Sequence, residues 1–531
     1  MLDILIQNGW LADGTGNPAF PADVAIEGDR VIDVGSLGAA SARLVIDAAG
    51  SIVAPGFVDA HSHTDWSIHA NPTEQSSIRY GATTEIVGNC GISSAPLNDR
   101  SRPAMESRLA TFGLEPPITW STFSEYLETV EAQGTSGNLV FLVGHNTVRA
   151  TAGVTGPEPT EDQLRMMEEL TREAMDAGAW GLSTGLEFEP GRNAGTDEII
   201  RIARVAGDSG RFYVSHMRNR DEFMRESTEE FLHVVRESGA IGQISHLNVR
   251  HHTAPAGTWE GAVGMLEEAR RSGLNVLADT TPFLSGLGLM AAILPPWIKA
   301  EGSGRAAEML GDPAIRSRLR TDCDRYWRFI HRGEWHRVRL LENPWFPELA
   351  LKTMPEIAAI MGKDEWDAYF DILQTAGADM ETLTLVGQLF TEEHSRDMVQ
   401  HPLLCLGVDG FSSVAEDGGD HPLAHPINYA GMVHYLTHHV RDCGNLRLEE
   451  AIRKMTSMPA THFGIPGRGL IRPGCFADVL VFAPDRLDDG STLENPVAYA
   501  QGMEWVIVNG TPVVARGEHT MARPGRCLRS G

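Results

Sequence analysis

The sequence predicts an α/β protein, namely a (β/α)8 TIM-like barrel with a small β-sandwich domain built from both chain termini. Three observations lead to this prediction. Eight short apolar runs recur along the middle of the chain, most of them separated by helical patterns. Alternating apolar segments with Gly, Asn and Asp between them occupy both ends. A long segment of mostly helical pattern separates the seventh run from the eighth.

The two ends of the chain share one pattern. Residues 1–55 read as short strands and turns, and we assign them to the first part of the sandwich. The pattern returns over residues 465–531, in stretches such as GCFADVLVFAP and EWVIVNGTPVVARGEHT. The termini therefore predict a single domain, with residues 56–464 inserted between them as a separate barrel.

The barrel prediction depends on the apolar runs. In chain order they are FVDAHSH, TTEIVGNCG, NLVFLVGHN, WGLSTGLEF, FYVSHMR, IGQISHLN, LNVLADTTP and LLCLGVDG. Strands that are buried on both faces and alternate with helices are typical of parallel sheets, and eight such units favour a closed barrel. A doubly wound open sheet is the alternative. Residues 285–400 are too long for an ordinary loop, so we expect a helical insertion that covers the barrel mouth.

Charge and composition restrict the partners of the chain. Lys and Arg number 44 against 71 Asp and Glu, a formal net charge of −27, which opposes binding to nucleic acid and anionic membranes. Six scattered cysteines without a CxxC pair make a poor disulfide framework. The start, MLDILIQNGWLADGTG, lacks the pattern of a secretory signal, and no run is long enough for a transmembrane helix. We therefore expect a cytoplasmic protein with a small-molecule substrate; its oligomeric state stays open.

Residues that bind metals or transfer protons lie at the ends of several predicted strands. They are His61, His63, Cys90, His216, His246 and Asp409. The carboxyl ends of barrel strands converge on one face, where residues far apart in sequence meet. Strand alternation turns His61 and His63 to the same side. A lone histidine or cysteine is often an ordinary core residue, but six such groups at strand ends predict a metal site.

The ligand types predict zinc. Imidazole, thiolate and carboxylate together favour zinc over magnesium or calcium, although iron or manganese also fits these donors. The set suffices for one or two ions per chain. In the two-ion arrangement the ligand sets are His61, His63 and Asp409, and Cys90, His216 and His246. Barrels of this kind often bridge two metals through a carbamylated lysine of the fourth strand; WGLSTGLEF has no lysine, and Cys90 is the expected substitute.

The motifs resemble those of the amidohydrolase superfamily and, within it, the N-acyl-D-amino-acid deacylase (D-aminoacylase) family. The matching stretches are APGFVDAHSHTDW, GATTEIVGNCGISSAP, VGHNTVR, GLSTGLEFEPG, YVSHMR, QISHL, ILPPW, VDG, MTSMPA and a tail that begins GRGLIRPGCFADVLVFAP. They cover nearly the whole chain. The resemblance implies a barrel flanked by a β-sandwich. It also implies tightly bound zinc at Cys90, His216 and His246 and a second metal position at His61, His63 and Asp409.

The sequence departs from this family where the family holds the substrate's carboxylate. Four family donors are replaced: a lysine by Asn248, a tyrosine by Thr281, a serine by Leu287 and an arginine by Leu423. Each lost charge-assisted hydrogen bond is worth about 1.5–3 kcal/mol. Arg218 and Arg250 are candidates to compensate. We therefore expect that the leaving half of the substrate is not a free D-amino acid.

The expected chemistry is hydrolysis of an amide or amide-like C–N bond by metal-activated water. Asp409 would accept the proton of the water and pass it to the leaving nitrogen. His145, in VGHNTVR, is a candidate to stabilise the oxyanion, although a lone buried histidine is more often hydrogen-bonded in the core. Hydrolysis of a cyclic amide, carbamate or ester without a free carboxylate is the alternative. A non-catalytic metal-binding scaffold is a third hypothesis, opposed by the complete ligand set.

Overall fold

The computed structural model describes residues 1–531 except 39, 112, 115–116, 251–253, 324 and 416–424. Within that part of the chain, eight parallel strands form a barrel, which confirms the predicted fold class. They are Phe57–Asp59, Ala82–Val87, Asn138–Phe141 continued by Val143–Gly144, Gly181–Gly185, Phe212–His216, Ile241–Ile244, Val276–Thr280 and Leu404–Leu406. Every residue of Phe212–His216 is buried, as expected for a strand with helices on one side and the barrel interior on the other.

Backbone contacts close the barrel between its first and last strands. The Asp409 N–H donates to the His61 carbonyl at 2.8 Å, and Ser62 pairs in parallel with Gly410. Closure therefore brings the residues after the first strand beside those after the eighth, although they lie far apart in the sequence.

Helices follow the strands and cover the outside of the barrel. After strands one to six they are Thr64–Ser67, Gln75–Arg79, Arg102–Thr111, Phe123–Gln133, His145–Thr151, Glu161–Asp176, Thr196–Asp208, Met224–Ser238 and Thr258–Arg271. Gly431–His434, the π-helix Tyr435–Asp442, Leu448–Met455 and Ser457–His462 follow the eighth strand. Glu161–Asp176 begins at a capping box of Thr160 and Gln163 and buries Met167 and Thr171, one turn apart. Across the described residues, none of the helices combines the length and apolarity needed to cross a bilayer.

Both termini contribute to one sheet, which has nine strands in the described part of the chain. The strands are Leu2–Leu11, Phe20–Glu27, Arg30–Gly35, Ala42–Asp47, Ile52–Pro55, Val479–Phe482, Met503–Val508, Thr511–Ala515 and Glu518–His519. Ile52–Pro55 pairs antiparallel with Val479–Phe482 and so joins the two ends. Alternate side chains such as Val24, Val53 and Val479 pack into a shared core.

The end of the chain leaves this sheet, in contrast to the expectation that residues 465–531 belong to the sandwich. Cys527–Leu528 pairs in parallel with Leu139 and Val140 of the third barrel strand. Trp180 Nε1 donates to the Leu528 carbonyl at 2.6 Å. The second barrel strand covers one edge of Asn138–Phe141, and the tail satisfies the backbone groups of the other edge.

The segment predicted as a helical insertion contains a sheet as well as helices. Ser285–Leu289, Val338–Leu340 and Thr384–Gln388 form an antiparallel sheet with its own apolar core, which includes Phe329 and Tyr369. The helices are Pro296–Lys299, Ser303–Met309, Pro313–Asp322, Met354–Met361, Glu365–Ala376 and Glu392–Gln400. The first strand, SGLGL, is rich in glycine and has little intrinsic strand propensity, so the pattern did not predict it.

Candidate metal centre

Cys90 lies among three of the predicted histidine ligands. Its Sγ is 3.4 Å from Nε2 of His61, 3.5 Å from Nδ1 of His216 and 3.5 Å from Nε2 of His246. All four side chains are buried at the carboxyl ends of their strands. Cys90 therefore contacts histidines of both predicted ligand sets, an arrangement that fits a thiolate bridge in a chain without the strand-four lysine.

Asp409 completes the cluster from the eighth strand. Its Oδ1 lies 3.2 Å from Nε2 of His61 and 3.3 Å from Nε2 of His63. His61, Cys90, His246 and Asp409 each offer a ligand atom, and these atoms lie within 4.8 Å of one another. A buried set of imidazole, thiolate and carboxylate groups fits a zinc ion. Trp66 stacks on His63, with ring centroids 4.5 Å apart, and holds its ring plane.

Three of these side chains sit on strained backbone. The φ angles of Cys90, His246 and Asp409 are +52°, +35° and +62°. Non-glycine residues rarely adopt this region, which costs of order 1–3 kcal/mol per residue, and such strain clusters at functional sites. The strained conformations are a sign of function that does not depend on the identity of the side chains.

Local charges favour a thiolate at Cys90, a carboxylate at Asp409 and a neutral imidazole at His246. Burial alone would lower the pKa values of His61 and His63, but Asp409 and Cys90 raise them, so a metal would have to displace a proton from these two imidazoles. Burial alone would raise the pKa of the Cys90 thiol, but His61 and the other facing histidines hold it well below its usual range. Burial and the guanidinium of Arg220 lower the pKa of His246 to about 4, which keeps this imidazole neutral. Burial would likewise raise the pKa of Asp409, but His61 and His246 hold it well below normal. Metals bind thiolates, neutral imidazoles and carboxylates.

Glu187, which the sequence analysis did not single out, supports one side of the cluster. Its Oε2 accepts a hydrogen bond from Nε2 of His216 at 2.8 Å and faces Arg220 at 3.1 Å and Arg250 at 2.9 Å. Burial alone would raise the pKa of Glu187, but Arg250 and Arg220 hold this pKa well below its usual range. The signal for this role was its position directly after the fourth strand, in GLSTGLEFEPG.

Asp279, also missed, supports the other side. Its Oδ1 lies 3.4 Å from Nδ1 of His61 and accepts the backbone N–H of His246 at 2.7 Å. Gln243 Nε2 donates to Oδ2 at 2.7 Å. A carboxylate inside the predicted buried strand LNVLADTTP was the sequence signal, since a buried charge requires partners.

The predicted substrate positions lie in three different surroundings. Asn248 is buried, and its Nδ2 donates to the His246 carbonyl at 2.5 Å. Its Oδ1 is buried and has no hydrogen-bond partner among the described residues. Thr281 is largely buried after the seventh strand, whereas Leu287 is partly exposed on the insertion's sheet. Leu423 lies outside the described residues.

The two arginines proposed to compensate already face carboxylates. Arg218 Nε lies 3.0 Å from Oε2 of Glu230, and its Nη atoms donate to two main-chain carbonyls. Arg250 lies 2.9 Å from Oε2 of Glu187 and 3.8 Å from Oδ2 of Asp221. Neither guanidinium therefore presents an unbalanced charge to a substrate.

His145 belongs to a buried ionic group. Its Nε2 lies 3.0 Å from Oε1 of Glu198, and Arg149 Nε donates to the same oxygen at 2.9 Å. Its imidazole is fully buried. These contacts account for its polarity without a substrate, and its role in oxyanion stabilisation stays a prediction.

Comparison with known sequences gives matches along the whole chain. The sequence matches the Amidohydrolase family over residues 44–314 and 418–514. An N-acyl-D-glutamate deacylase of Alcaligenes xylosoxydans xylosoxydans is 32% identical, over 99% of this chain and 96% of its own length. A D-aminoacylase of the same organism is 31% identical, over 99% of this chain and 97% of its own length.

Comparison with solved structures gives the same result. The N-acyl-D-glutamate deacylase of Bordetella bronchiseptica, complexed with zinc and a phosphonate mimic of the tetrahedral intermediate, has a TM-score of 0.81 and 29% identity, with full coverage of both chains. A D-aminoacylase crystal structure also has a TM-score of 0.81 and 29% identity, over 100% of both chains. The similarity thus includes the barrel, the terminal sheet and the insertion.

Proposed function

This chain belongs to the amidohydrolase family, and we propose that it cleaves the amide bond of a small N-acyl compound. It is a zinc-dependent hydrolase of the N-acyl-D-amino-acid deacylase type, acting on C–N bonds other than peptide bonds.

The position of Asp409 carries the proposal. Of its side chain 29% is exposed, against 9% for His63 and 0% for His61. Asp409 therefore lies at the solvent-facing edge of the cluster while its oxygens remain beside the ligand nitrogens. A carboxylate in this position reaches both a water molecule and a substrate that enters the barrel mouth.

Different residues of the chain have different roles in the proposed hydrolysis. Zinc held by the predicted ligands around Cys90 and Asp409 would supply a water molecule of lowered pKa and would polarise the carbonyl of the substrate. Asp409 accepts one proton of the attacking water and delivers it to the leaving nitrogen. The water oxygen becomes part of the carboxylic acid product, the C–N bond breaks, and an amine is released. Glu187 and Asp279 hold His216 and His61 in position during this step.

One observation favours a substrate without a free carboxylate. Arg218 and Arg250 already pair with Glu230 and Glu187, and Asn248 is uncharged. A carboxylate buried beside them would lack a charged partner, which is strongly unfavourable. Cyclic amides, carbamates and esters, or N-acyl amino acids with a blocked carboxylate, are the alternative substrates.

A paired hydrolysis screen tests both versions of the proposal. The zinc-loaded enzyme is assayed with N-acetyl-D-amino acids and with the corresponding amides and methyl esters, and the L-series serves as control. Higher kcat/KM for the blocked compounds supports a substrate without a free carboxylate. Higher kcat/KM for the free acids supports an N-acyl-D-amino acid as the substrate. A zinc-loaded preparation that hydrolyses none of these compounds, nor cyclic amides or carbamates, contradicts both.

We place this activity in the cytoplasm as part of the same proposal. All six cysteines of the chain are free thiols in the structure, and reduced thiols persist in that compartment. Fractionation of the source cells, with the enzyme followed by activity or antibody, tests the location. Recovery outside the cytoplasmic fraction contradicts it.

A further inference from the structure

A second group of metal-binding side chains lies on the surface, away from the barrel centre. Glu392, His438 and Cys443 each offer a ligand atom, and these atoms lie within 4.8 Å of one another. Oε2 of Glu392 is 2.9 Å from Nε2 of His438, and Sγ of Cys443 is 3.8 Å from the same nitrogen. We call these three residues the surface cluster.

An unusual turn of backbone brings His438 and Cys443 together. Tyr435–Asp442 is a π-helix, and the Cys443 N–H donates to the His438 carbonyl at 2.9 Å. In an α-helix, side chains five residues apart point about 140° away from each other. One π-helical turn closes over this spacing and places both side chains on one face. Such turns are rare and occur frequently at functional sites.

Neighbouring contacts fix the orientation of the imidazole. His434 stacks on His438 with ring centroids 5.1 Å apart and an interplanar angle of 6°. His434 is itself held by Asp489, whose Oδ2 lies 2.5 Å from its Nδ1. This stacking restricts rotation of the His438 ring, whose Nε2 faces Glu392.

A surface ion pair alone does not explain this arrangement. The side chains of Glu392 and His438 are 58% and 23% exposed, and an ion pair so exposed contributes little stability. The ion pair also does not account for Cys443, which is the one exposed thiol among the described cysteines. A bound cation accounts for all three side chains.

We propose that Glu392, His438 and Cys443 form a zinc site separate from the barrel centre. Carboxylate, imidazole and thiolate are all zinc ligands, and three protein ligands leave a fourth position for water. The exposure of the cluster gives the ion direct access, and the net charge of −27 attracts cations. Burial, Glu392 and Asp442 raise the pKa of the Cys443 thiol; a bound cation reverses this effect and displaces the proton.

The position of the site indicates a structural role. Glu392 begins the helix Glu392–Gln400, which leads into the eighth barrel strand and so to Asp409. His438 belongs to the π-helix beyond that strand. Zinc at the surface cluster would join the two segments on either side of the strand and stabilise the native state. It takes no part in the reaction.

Thiol protection tests the site in the full-length enzyme with its barrel centre loaded with zinc. A colorimetric disulfide reagent should modify the exposed Cys443 first, and added zinc should slow this reaction by at least about tenfold because a coordinated thiolate is a poor nucleophile. His438→Gln and Glu392→Gln should abolish or strongly weaken the protection. Glu393→Gln, which makes the same charge change at the neighbouring position of the helix, should keep it.

Zinc content gives an independent measurement. By elemental analysis after dialysis against micromolar zinc, Cys443→Ser should hold one ion fewer per chain than the parent and retain the parent's activity. An unchanged modification rate with zinc in the parent overturns the proposal, and so does full protection in His438→Gln. Equal zinc contents in the parent and Cys443→Ser also overturn it.

Discussion

Nε2 of His216 donates to Oε2 of Glu187 at 2.8 Å, and this contact turns Nδ1 of His216 toward Sγ of Cys90. The same carboxylate faces Arg220 and Arg250. Glu187 therefore orients one predicted ligand of the metal centre and is shared by two guanidinium groups, of which Arg250 also faces Asp221. Carboxylates that orient ligand histidines in this way raise the affinity of metal sites.

Glu187→Gln should weaken zinc binding by about 10–100-fold, since an amide replaces the ionised acceptor of His216. The measurement is a competition between the enzyme and a chelator of known affinity. Glu189→Gln, two residues away and half exposed, is the matched control and should leave zinc affinity unchanged. A Glu187→Gln enzyme with parental zinc affinity would contradict the positioning role.

Cys90→Ala should remove tightly bound zinc, because the cluster loses the thiolate that contacts three histidines. His216→Ala and His246→Ala should have the same effect. Zinc content of dialysed protein is the measurement. Cys405→Ala, at a buried thiol of the eighth strand, is the matched control and should retain zinc. Stoichiometric zinc in dialysed Cys90→Ala would contradict the assignment.

Asp409→Asn should leave the fold and at least one zinc ion in place but lower turnover by at least about a hundredfold. The amide is close in shape to the carboxylate, but it does not accept the proton of the water. Circular dichroism and zinc analysis check the first part, and kcat checks the second. Activity within about tenfold of the parent would remove Asp409 from the proton-transfer step.

The barrel was predictable because its signals are local. Runs such as FYVSHMR combine apolar strand residues with a polar residue at the carboxyl end, and the barrel geometry then requires these ends to converge. The HxH spacing drew attention to His61 and His63, but their prediction as ligands also depended on the other strand ends. Cys90 became recognisable only together with the other strand ends, since a single buried cysteine is ordinary.

The supporting residues were not predictable in the same way. Glu187 and Arg220 lie in loops, and their partners are determined by three-dimensional contacts that no sequence period encodes. The pairing of Cys527–Leu528 with the third barrel strand is also a long-range contact, over nearly 400 residues. Only the structure shows that Oδ1 of Asn248 is buried and has no hydrogen-bond partner among the described residues.

His425 should contribute to acid lability. It is fully buried, its Nδ1 accepts the Ile427 N–H at 3.0 Å, and burial followed by the charge of His434 lowers its pKa to about 3. Between pH 6.5 and 3 the unfolded chain binds a proton at this residue and the folded chain does not. The free energy of unfolding therefore decreases as the pH is lowered through this range. At pH 5 the loss is about 2 kcal/mol.

His425→Asn removes this titration and keeps an acceptor for the Ile427 N–H. The variant should be less stable than the parent at pH 7.5, because packing is lost, and the difference should narrow by about 2 kcal/mol at pH 5. Denaturant unfolding of both proteins at the two pH values measures the difference. A difference that is constant with pH would contradict the assignment.

The substrate pocket should discriminate against a free carboxylate. Asn248, Thr281 and Leu287 are uncharged, and the nearby Arg250 is paired with Glu187. An N-acyl-D-amino acid would therefore bury its carboxylate without a charged partner, whereas the corresponding amide has no charge to bury. We expect low kcat/KM for the free acids and a clear gain for the amides, measured on matched pairs of substrates.

Asn248→Lys with Thr281→Tyr should shift the preference back toward the free acid, because it introduces a cation and replaces the short Thr281 hydroxyl by the phenolic hydroxyl of a longer side chain. One restored charge-assisted hydrogen bond, worth about 1.5–3 kcal/mol, corresponds to a change of roughly 10–150-fold in the ratio of kcat/KM for acid and amide. Asn248→Gln with Thr281→Phe adds similar bulk without charge or hydroxyl and is the control. If the parent hydrolyses the free acids as efficiently as their amides, the proposed loss of anion recognition is wrong. A KM for the acids alone that rises in Arg218→Ala or Arg250→Ala would then identify the residue that binds the carboxylate.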